Sequence, residues 1–323
     1  LGQDAISLAG SADMDTSEIN ANCVTDYIDT AVEMMAEVVL RPVFPEDEFE
    51  KLRKQVLASL AIKVNDPDYL ADEEFRKCLY GQHPYARTVD GRVADVENLN
   101  VHDCLEWWQK NSRPNKAAII FAGDITTDKA MELARKYFDS WTNELADTTE
   151  MLPDFPKIEQ TQVYLVDMPG AMQSQIRVGQ HGIVRKQQPD YFISRIVCNY
   201  FGWSFNSRLN DNIRIKQGLT YGIWGSYIAQ NMGGEFVVNT FSKTDSTAKT
   251  IAAVLEEIKK LKSDPPSDKE LEYSKNYISG SFVIGREIPQ QVAKDIWLIE
   301  SQNLGKDYLN KLLAQVAATT KQQ

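Results

Sequence analysis

Three cationic side chains and one phenol lie in a short segment, residues 207–221, which reads SRLNDNIRIKQGLTY. Arg214 precedes Gly218, a residue type that commonly ends helices, and Tyr221 follows where a strand should begin. We therefore expect Arg214 and Tyr221 at one helix–strand corner. A guanidinium beside a phenol can hold the carbonyl oxygens of an extended peptide or stabilise a developing oxyanion. Spacing alone favours the simpler alternative, in which Arg214 caps helix carbonyls and Tyr221 packs on a sheet.

Other patterns associated with catalysis are absent from the sequence. The three histidines, at 83, 102 and 181, are far apart and form neither H-E-x-x-H nor H-x-x-E-H. His102 and Glu106 are four residues apart on a predicted helix, a spacing more typical of a surface pair than of a metal site. The four cysteines form no C-x-x-C, and no P-loop, G-x-G-x-x-G or G-x-S-x-G occurs. The sequence thus contains no complete active site.

Composition is that of a globular protein and limits the classes of partner. The chain has 323 residues, of which 43% are hydrophobic and 25% charged, so we expect about two domains. Its formal net charge of −11 argues against nucleic acid as a partner, because phosphate binding needs a basic face. No run of 18 apolar residues suggests a membrane span, and we expect no membrane partner. Nothing in the sequence decides the compartment.

Hydrophobic periodicity predicts an alternation of helices and strands around the 207–221 segment. Helices are predicted over 25–40, 46–64, 72–81, 98–111, 126–141 and 190–217, with further helices after residue 246. Strands are predicted for the apolar run 116–125 and for segments near 161–169, 174–182, 220–229 and 234–242. A shift of 222 residues places the helix after Pro45 on the helix that contains Glu270, so two homologous α/β units are predicted.

The predicted domain limits follow from this repeat and from a polar, proline-containing stretch. We assign 1–145 to a first α/β domain, 146–157 to a linker, and 158–323 to a second α/β domain that carries Arg214 and Tyr221. The 222-residue shift would place the start of the first unit before residue 1. We therefore expect the first domain to lack its N-terminal strands and helix.

The 207–221 segment resembles the Arg/Tyr signature of the pitrilysin/insulinase family of zinc metallopeptidases, the inverzincins. The resemblance rests on R-x-x-x-G-L-x-Y at 214–221, preceded by SRL at 207–209. It extends to LRPVFP at 40–45, LYGQHPY at 79–85 and AGDI at 122–125, in the family's order. Together these motifs span nearly the whole chain.

The resemblance implies an α+β fold of the mitochondrial-processing-peptidase type, in which each domain packs helices on an antiparallel sheet. In this family one half carries zinc on H-x-x-E-H and a later Glu, and the other half carries the Arg/Tyr pair. Ser59 stands where the later Glu is expected, and a neutral hydroxyl is a poor zinc ligand. The resemblance therefore implies no catalytic zinc in this chain and zinc on a partner half.

By the same resemblance, Tyr221 would donate to the tetrahedral oxyanion, Arg214 would fix a backbone carbonyl, and Arg208 would join them in binding substrate. The chain would then be the non-catalytic, substrate-binding half of a zinc endopeptidase, either a separate subunit or part of a longer polypeptide. Its partners would be a peptide substrate and a zinc-bearing inverzincin half. The alternative is a structural scaffold subunit without proteolysis, for which the Arg/Tyr pair has no evident use. Ser59 disfavours a self-sufficient peptidase.

Overall fold

A computed structural model describes residues 6–142 and 151–323. These residues combine helices with antiparallel sheets, which confirms the predicted α+β class. They group into two compact units. The first draws on Leu1–Lys63, Arg87–Pro153 and Val292–Trp297, and the second on Val64–Ala86, Asp154–Gln291 and Leu298–Gln323. The predicted domain limits stay a prediction, and residues 146–150 of the predicted linker lie outside the described residues.

The described residues of the first unit form a β-hairpin and several helices. Its elements are β1 (Ser7–Ala12), β2 (Ser17–Asn22), α1 (Ile28–Leu40), α2 (Glu46–Lys63), α4 (Val93–Asn98), α5 (Val101–Asn111) and α6 (Thr127–Phe138). Strands β1 and β2 pair with each other in antiparallel register. Small side chains on α1, Ala31 and Ala36, are buried together with Leu133 of α6. The indole nitrogen of Trp108 donates to the carbonyl of Val39 at 3.3 Å, which ties α5 to α1.

The second unit contains a three-stranded sheet and most of the remaining helices. Its elements are α3 (Pro67–Tyr80), β3 (Gln173–His181), α7 (Asp190–Cys198), β4 (Ile223–Ala229), β5 (Gly234–Lys243), α8 (Thr247–Lys260), α9 (Asp268–Gly285) and α11 (Tyr308–Ala318). Helix α10 (Pro289–Ser301) runs between α9 and α11 in sequence. The strand order is β3-β5-β4, and both pairings are antiparallel.

The core of the second unit lies between this sheet and its helices. Val238 of β5, Phe201, Leu209 and Ile213 are completely buried in one cluster, and Val254 of α8 joins them. Because Leu209 and Ile213 are four residues apart, both point from the same side of their helical segment into the core. This anchoring fixes the segment that carries Arg208 and Arg214.

The predicted internal repeat is visible in the helix positions. Helices α2 and α9 are both 18 residues long, and they begin 222 residues apart, at Glu46 and Asp268. This is the shift that the sequence predicted. None of the helices in the described ranges is long and apolar enough to cross a membrane.

Two predicted strands and one predicted helix are wrong. Residues 117–125 and 162–168 form no strand. A strand requires a ladder partner, and the three strands of the second unit pair only among themselves, as do β1 and β2. The predicted helix 190–217 is interrupted, because Ser204 has extended backbone angles (φ −80°, ψ 155°). Wider π-type turns lie on either side of this break, at Asn199–Trp203 and Asn210–Lys216.

Candidate functional site

The break after α7 is held against the sheet by a close approach of two glycines. A Cβ atom added at Gly202 would lie 2.5 Å from the backbone nitrogen of Gly225 on β4, so only glycine fits there. The buried Asn210 side chain then donates to the carbonyl of Ile223 at 3.2 Å. Both contacts fix the Arg-bearing segment to β4.

Arg208 is the most fully bonded of the predicted site residues. Its Nε and one terminal nitrogen donate to the two carboxylate oxygens of Glu270, at 2.7 and 3.0 Å. Its terminal nitrogens also donate to the carbonyls of Asp264 and Pro265, at 2.9 and 3.1 Å. The ring of Tyr200 lies 5.2 Å from its guanidinium carbon. These contacts occupy all three guanidinium nitrogens of Arg208. Its predicted role in substrate binding stays a prediction.

Glu270, the partner of Arg208, also belongs to the N-terminal cap of α9. Its carboxylate accepts from the Ser267 backbone nitrogen at 2.7 Å, and the Ser267 hydroxyl accepts from the Glu270 nitrogen at 3.2 Å. The hydrogen bonds from Arg208, with those from Ser267, lower the pKa of Glu270 to about 2 although partial burial opposes this shift. Arg208 and Glu270 thus form a charged joint between the helical segment and α9.

Arg214 lies in a different environment six residues further along. It is half-buried, and its guanidinium carbon lies 5.1 Å from the centre of the Phe205 ring. Within residues 6–142 and 151–323, its guanidinium forms no ion pair and no hydrogen bond. Arg214 lines an open cleft of about 470 Å³. Its donors are therefore available to a ligand.

Tyr221 follows a turn that closes the helical segment. Gly218 has φ +62°, as expected for the residue past a helix end, and the Leu219 nitrogen donates to the Ile213 carbonyl at 3.1 Å. The Tyr221 side chain is 82% exposed and does not line the Arg214 cleft. Among the described residues it forms neither a hydrogen bond nor a cation–π contact with Arg214. The predicted packing of Tyr221 on the sheet is therefore not observed.

The wall of the Arg214 cleft contains aromatic residues that the sequence analysis did not single out. Trp203 and Trp224 meet edge to face with ring centres 6.4 Å apart, and Phe205 lies beside them in the lining. The only signal in the sequence was the aromatic density of the run FGWSF at 201–205. Their convergence depends on the contact of Gly202 with Gly225, which periodicity cannot reveal.

The residues considered for metal binding do not converge. Ser59 lies on an exposed face of α2, and His102 pairs with Glu106 at 2.9 Å on the surface of α5. In the part of the chain that the structure describes, no three His, Cys, Asp or Glu side chains are grouped to hold a metal ion. His83, which is buried, and His181, which is partly buried, instead lie in an aromatic cluster with Phe155.

The segment that carries Arg214 and Tyr221 lies within a match to a known protein family. The family described as peptidase M16 inactive domain matches residues 98–278. The chain belongs to the M16 family. This confirms the resemblance to the pitrilysin/insulinase peptidases, and the match includes Arg208, Arg214 and Tyr221. It also places this M16 chain with the inactive domains of the family.

Curated relatives carry names that differ on activity. The M16 chain is 24% identical over 293 residues to the "Non-peptidase homolog YmxG" of Helicobacter pylori, covering 87% of the chain and 64% of the relative. It is 21% identical over 267 residues to the "Uncharacterized zinc protease YmxG" of Bacillus subtilis, covering 83% and 64%. The chain therefore spans somewhat less than two thirds of the length of these relatives.

Solved structures share the fold. A peptidase M16 inactive domain from Pseudomonas fluorescens gives a TM-score of 0.82 at 23% identity, covering 99% of the M16 chain and 78% of that structure. A protease from Helicobacter pylori gives 0.89 at 21% identity, covering 99% and 77%. A chain of complex III from Candida albicans gives 0.80 at 16% identity, covering 98% and 76%. At these identities the likeness shows the fold alone.

Proposed function

We propose that this M16 chain is the substrate-binding, non-catalytic half of a zinc metalloendopeptidase. The observation that carries the proposal is the position of Arg214, which lines an open cleft and has no acidic partner among the described residues. The nearby Arg208, in contrast, is bonded on all three guanidinium nitrogens. The half-buried guanidinium of Arg214 has lost part of its hydration, which is unfavourable unless water or a ligand accepts hydrogen bonds from its nitrogens. An extended peptide presents carbonyl oxygens that suit a guanidinium.

In this proposal Arg214 donates to a backbone carbonyl of the peptide and orients it. Tyr221, exposed at the same corner, donates its phenolic proton in a hydrogen bond to the oxyanion that forms as the peptide bond is attacked. Zinc on a partner half would supply the activated water for that attack. The exposure of Tyr221 supports this arrangement, because a buried phenol could not reach a peptide that lies on the surface of this chain.

Arg208 has a supporting part in the proposal. Its bonds to Glu270 and to two carbonyls hold the start of the segment that ends at Arg214. Direct contact of Arg208 with substrate would require breaking these bonds, so we propose that Arg208 positions Arg214 instead of joining it on the peptide.

The second candidate function is a structural scaffold subunit without proteolysis. The complex III chain of Candida albicans has the same fold, which favours this candidate for an M16 inactive domain. A scaffold requires neither the exposed phenol of Tyr221 nor a guanidinium at Arg214 that is unpaired among the described residues. The two candidates differ in whether substitution of Tyr221 affects peptide hydrolysis.

The test is peptide hydrolysis by the chain alone and after mixing with an M16 subunit that carries an intact H-x-x-E-H motif, isolated from the same source. We expect activity only in the mixture. Tyr221→Phe should lower kcat/KM about 10²–10³-fold, the usual cost of losing one oxyanion donor. Tyr164→Phe, which removes another partly exposed phenol, is the matched control and should leave the rate unchanged.

Two results would contradict the proposal. A mixture that assembles but does not hydrolyse peptides, or whose rate is unaffected by Tyr221→Phe, would favour the scaffold. Tightly bound stoichiometric zinc in the isolated chain would overturn the argument from Ser59 and the assignment as the non-catalytic half.

A further inference from the structure

We infer that the aromatic cleft beside Arg214, lined by Trp203, Phe205 and Trp224, takes a bulky uncharged side chain of the bound peptide. The inference rests on the proposed function and adds the class of substrate to it. It makes these three residues determinants of specificity, next to the guanidinium that holds the peptide backbone. A residue with a large apolar side chain would be preferred at this position.

A backbone contact fixes the position of the aromatic side chains in the cleft. Trp203 follows Gly202 and Trp224 precedes Gly225, so the close contact of the two glycines brings the two indoles together. Their rings meet edge to face at 6.4 Å, which is a favoured aromatic geometry. Phe205 lies two residues beyond Trp203 on the extended break, under the Arg214 guanidinium. The aromatic wall is therefore fixed before any ligand binds.

These aromatic side chains are unusually accessible for their size. Trp203 is 57% exposed and Phe205 is 65% exposed. Clustered apolar surface of this kind, in contrast to single exposed residues, marks interaction sites on soluble proteins. The cleft of about 470 Å³ is large enough for an aromatic or long aliphatic side chain. Water would be displaced from both surfaces when such a side chain enters, which favours binding.

The charges at the cleft give no net attraction for a charged side chain. Arg177 bonds to two carboxylates, to Asp68 at 2.6 Å and to Asp72 at 2.5 Å, so these three groups together carry one negative charge. Arg214, which has no acidic partner among the described residues, balances that charge. A lysine of the peptide would lose hydration on the aromatic wall without gaining an ion pair there. The chemistry therefore fits a bulky apolar residue and disfavours a charged one.

The alternative occupant of the same aromatic surface is a second copy of the chain. The guanidinium of Arg214, which is unpaired among the described residues, argues for a peptide instead. In a peptide, each apolar side chain has backbone carbonyls close to it that can accept hydrogen bonds from the guanidinium. Arg214 and Trp203 each lie in a π-type turn, which also favours a ligand site because such turns are frequent at functional positions.

The test measures binding of three short capped peptides, Ac-Gly-Ala-Ala-X-Ala-Ala-Gly-NH2 with X as Phe, Ala or Lys, to the full chain by calorimetry. We expect the Phe peptide to bind about tenfold more tightly than the Ala peptide, and the Lys peptide to bind more weakly than both. Trp203→Ala and Phe205→Ala should each reduce the Phe-to-Ala ratio to about twofold or less. Trp107→Ala, which removes a comparably exposed indole (53%) from α5, should preserve the ratio.

Different results would contradict the specificity inference and the proposed function. Equal binding of the Phe and Ala peptides, with Tyr221→Phe still impairing hydrolysis in the mixture, would overturn the specificity inference and leave the proposed function intact. Concentration-dependent dimerisation that is lost in Trp203→Ala would assign the surface to a second copy and also overturn the inference. Absence of peptide binding up to about 1 mM, together with a rate insensitive to Tyr221→Phe, would overturn both.

Discussion

Two arginines six residues apart on one helical segment have opposite surroundings. Arg208 is only 13% exposed and donates to Glu270 and to two backbone carbonyls, whereas Arg214 lines an open cleft beside Phe205. The first joins two parts of the fold, and the second has donors available for a ligand. Residue type and proximity in sequence therefore do not assign a function to these arginines. The hydrogen bonds and ion pairs that each guanidinium forms within the chain distinguish their roles.

The comparison predicts that the two arginines separate stability from activity. The Arg208 joint should determine how strongly the second unit resists unfolding, and the Arg214 cleft should determine how well a peptide is bound.

The largest expected change in stability comes from Arg208→Ala. Removing the guanidinium leaves the Glu270 carboxylate and two carbonyls without their donor, so the free energy of unfolding should fall by about 3 kcal/mol. Chemical denaturation followed by circular dichroism measures this change. A loss below about 0.5 kcal/mol would show that Arg208 is not a structural joint and would reopen its predicted contact with substrate.

A smaller change should depend on pH through Glu270. Its pKa is lowered to about 2 in the folded chain, from an ordinary value near 4.5, so its stabilisation is complete above about pH 5 and is lost as the pH falls through 2. The wild type should exceed Glu270→Gln in unfolding free energy by about 2 kcal/mol at pH 7, after allowing for solvent screening. This difference should shrink between pH 5 and 2. A difference constant over that range would contradict the ion pair.

The smallest expected change in stability is that of Arg214→Ala. Because no acidic group or carbonyl among the described residues depends on this guanidinium, the free energy of unfolding should change by less than about 0.5 kcal/mol. The same denaturation experiment serves as the measurement, with Arg208→Ala as its counterpart. If Arg214→Ala lowered the free energy of unfolding as much as Arg208→Ala does, both arginines would stabilise the fold. The proposed difference between them would then be wrong.

Much of the fold around the site could be predicted because the signals are local. Gly218 was expected to end the Arg-bearing segment and does so with a positive φ, and the strands β4 and β5 occur close to their predicted positions. The 222-residue shift obtained from the predicted helices also matches the starts of α2 and α9. In each case, periodicity or a glycine preference acts over a few residues and does not depend on distant partners.

The features that could not be predicted depend on contacts between distant parts of the chain. Arg208 meets Glu270, 62 residues away, and this pairing has no signature in the spacing of residues 207–221. The break at Ser204 arises where Gly202 meets Gly225, although the sequence around it reads as one helix. The apolar run at 117–125 has the composition of a buried strand, but composition cannot supply a ladder partner.

The most direct test of the central claim is the effect of Arg214→Gln on peptide hydrolysis by the chain mixed with a zinc-bearing M16 subunit. If Arg214 holds the peptide for cleavage, kcat/KM should fall about 100-fold while the unfolding curve of the chain stays unchanged. A kcat/KM within about twofold of the wild-type value would contradict the claim, because the guanidinium would then contribute nothing to the reaction.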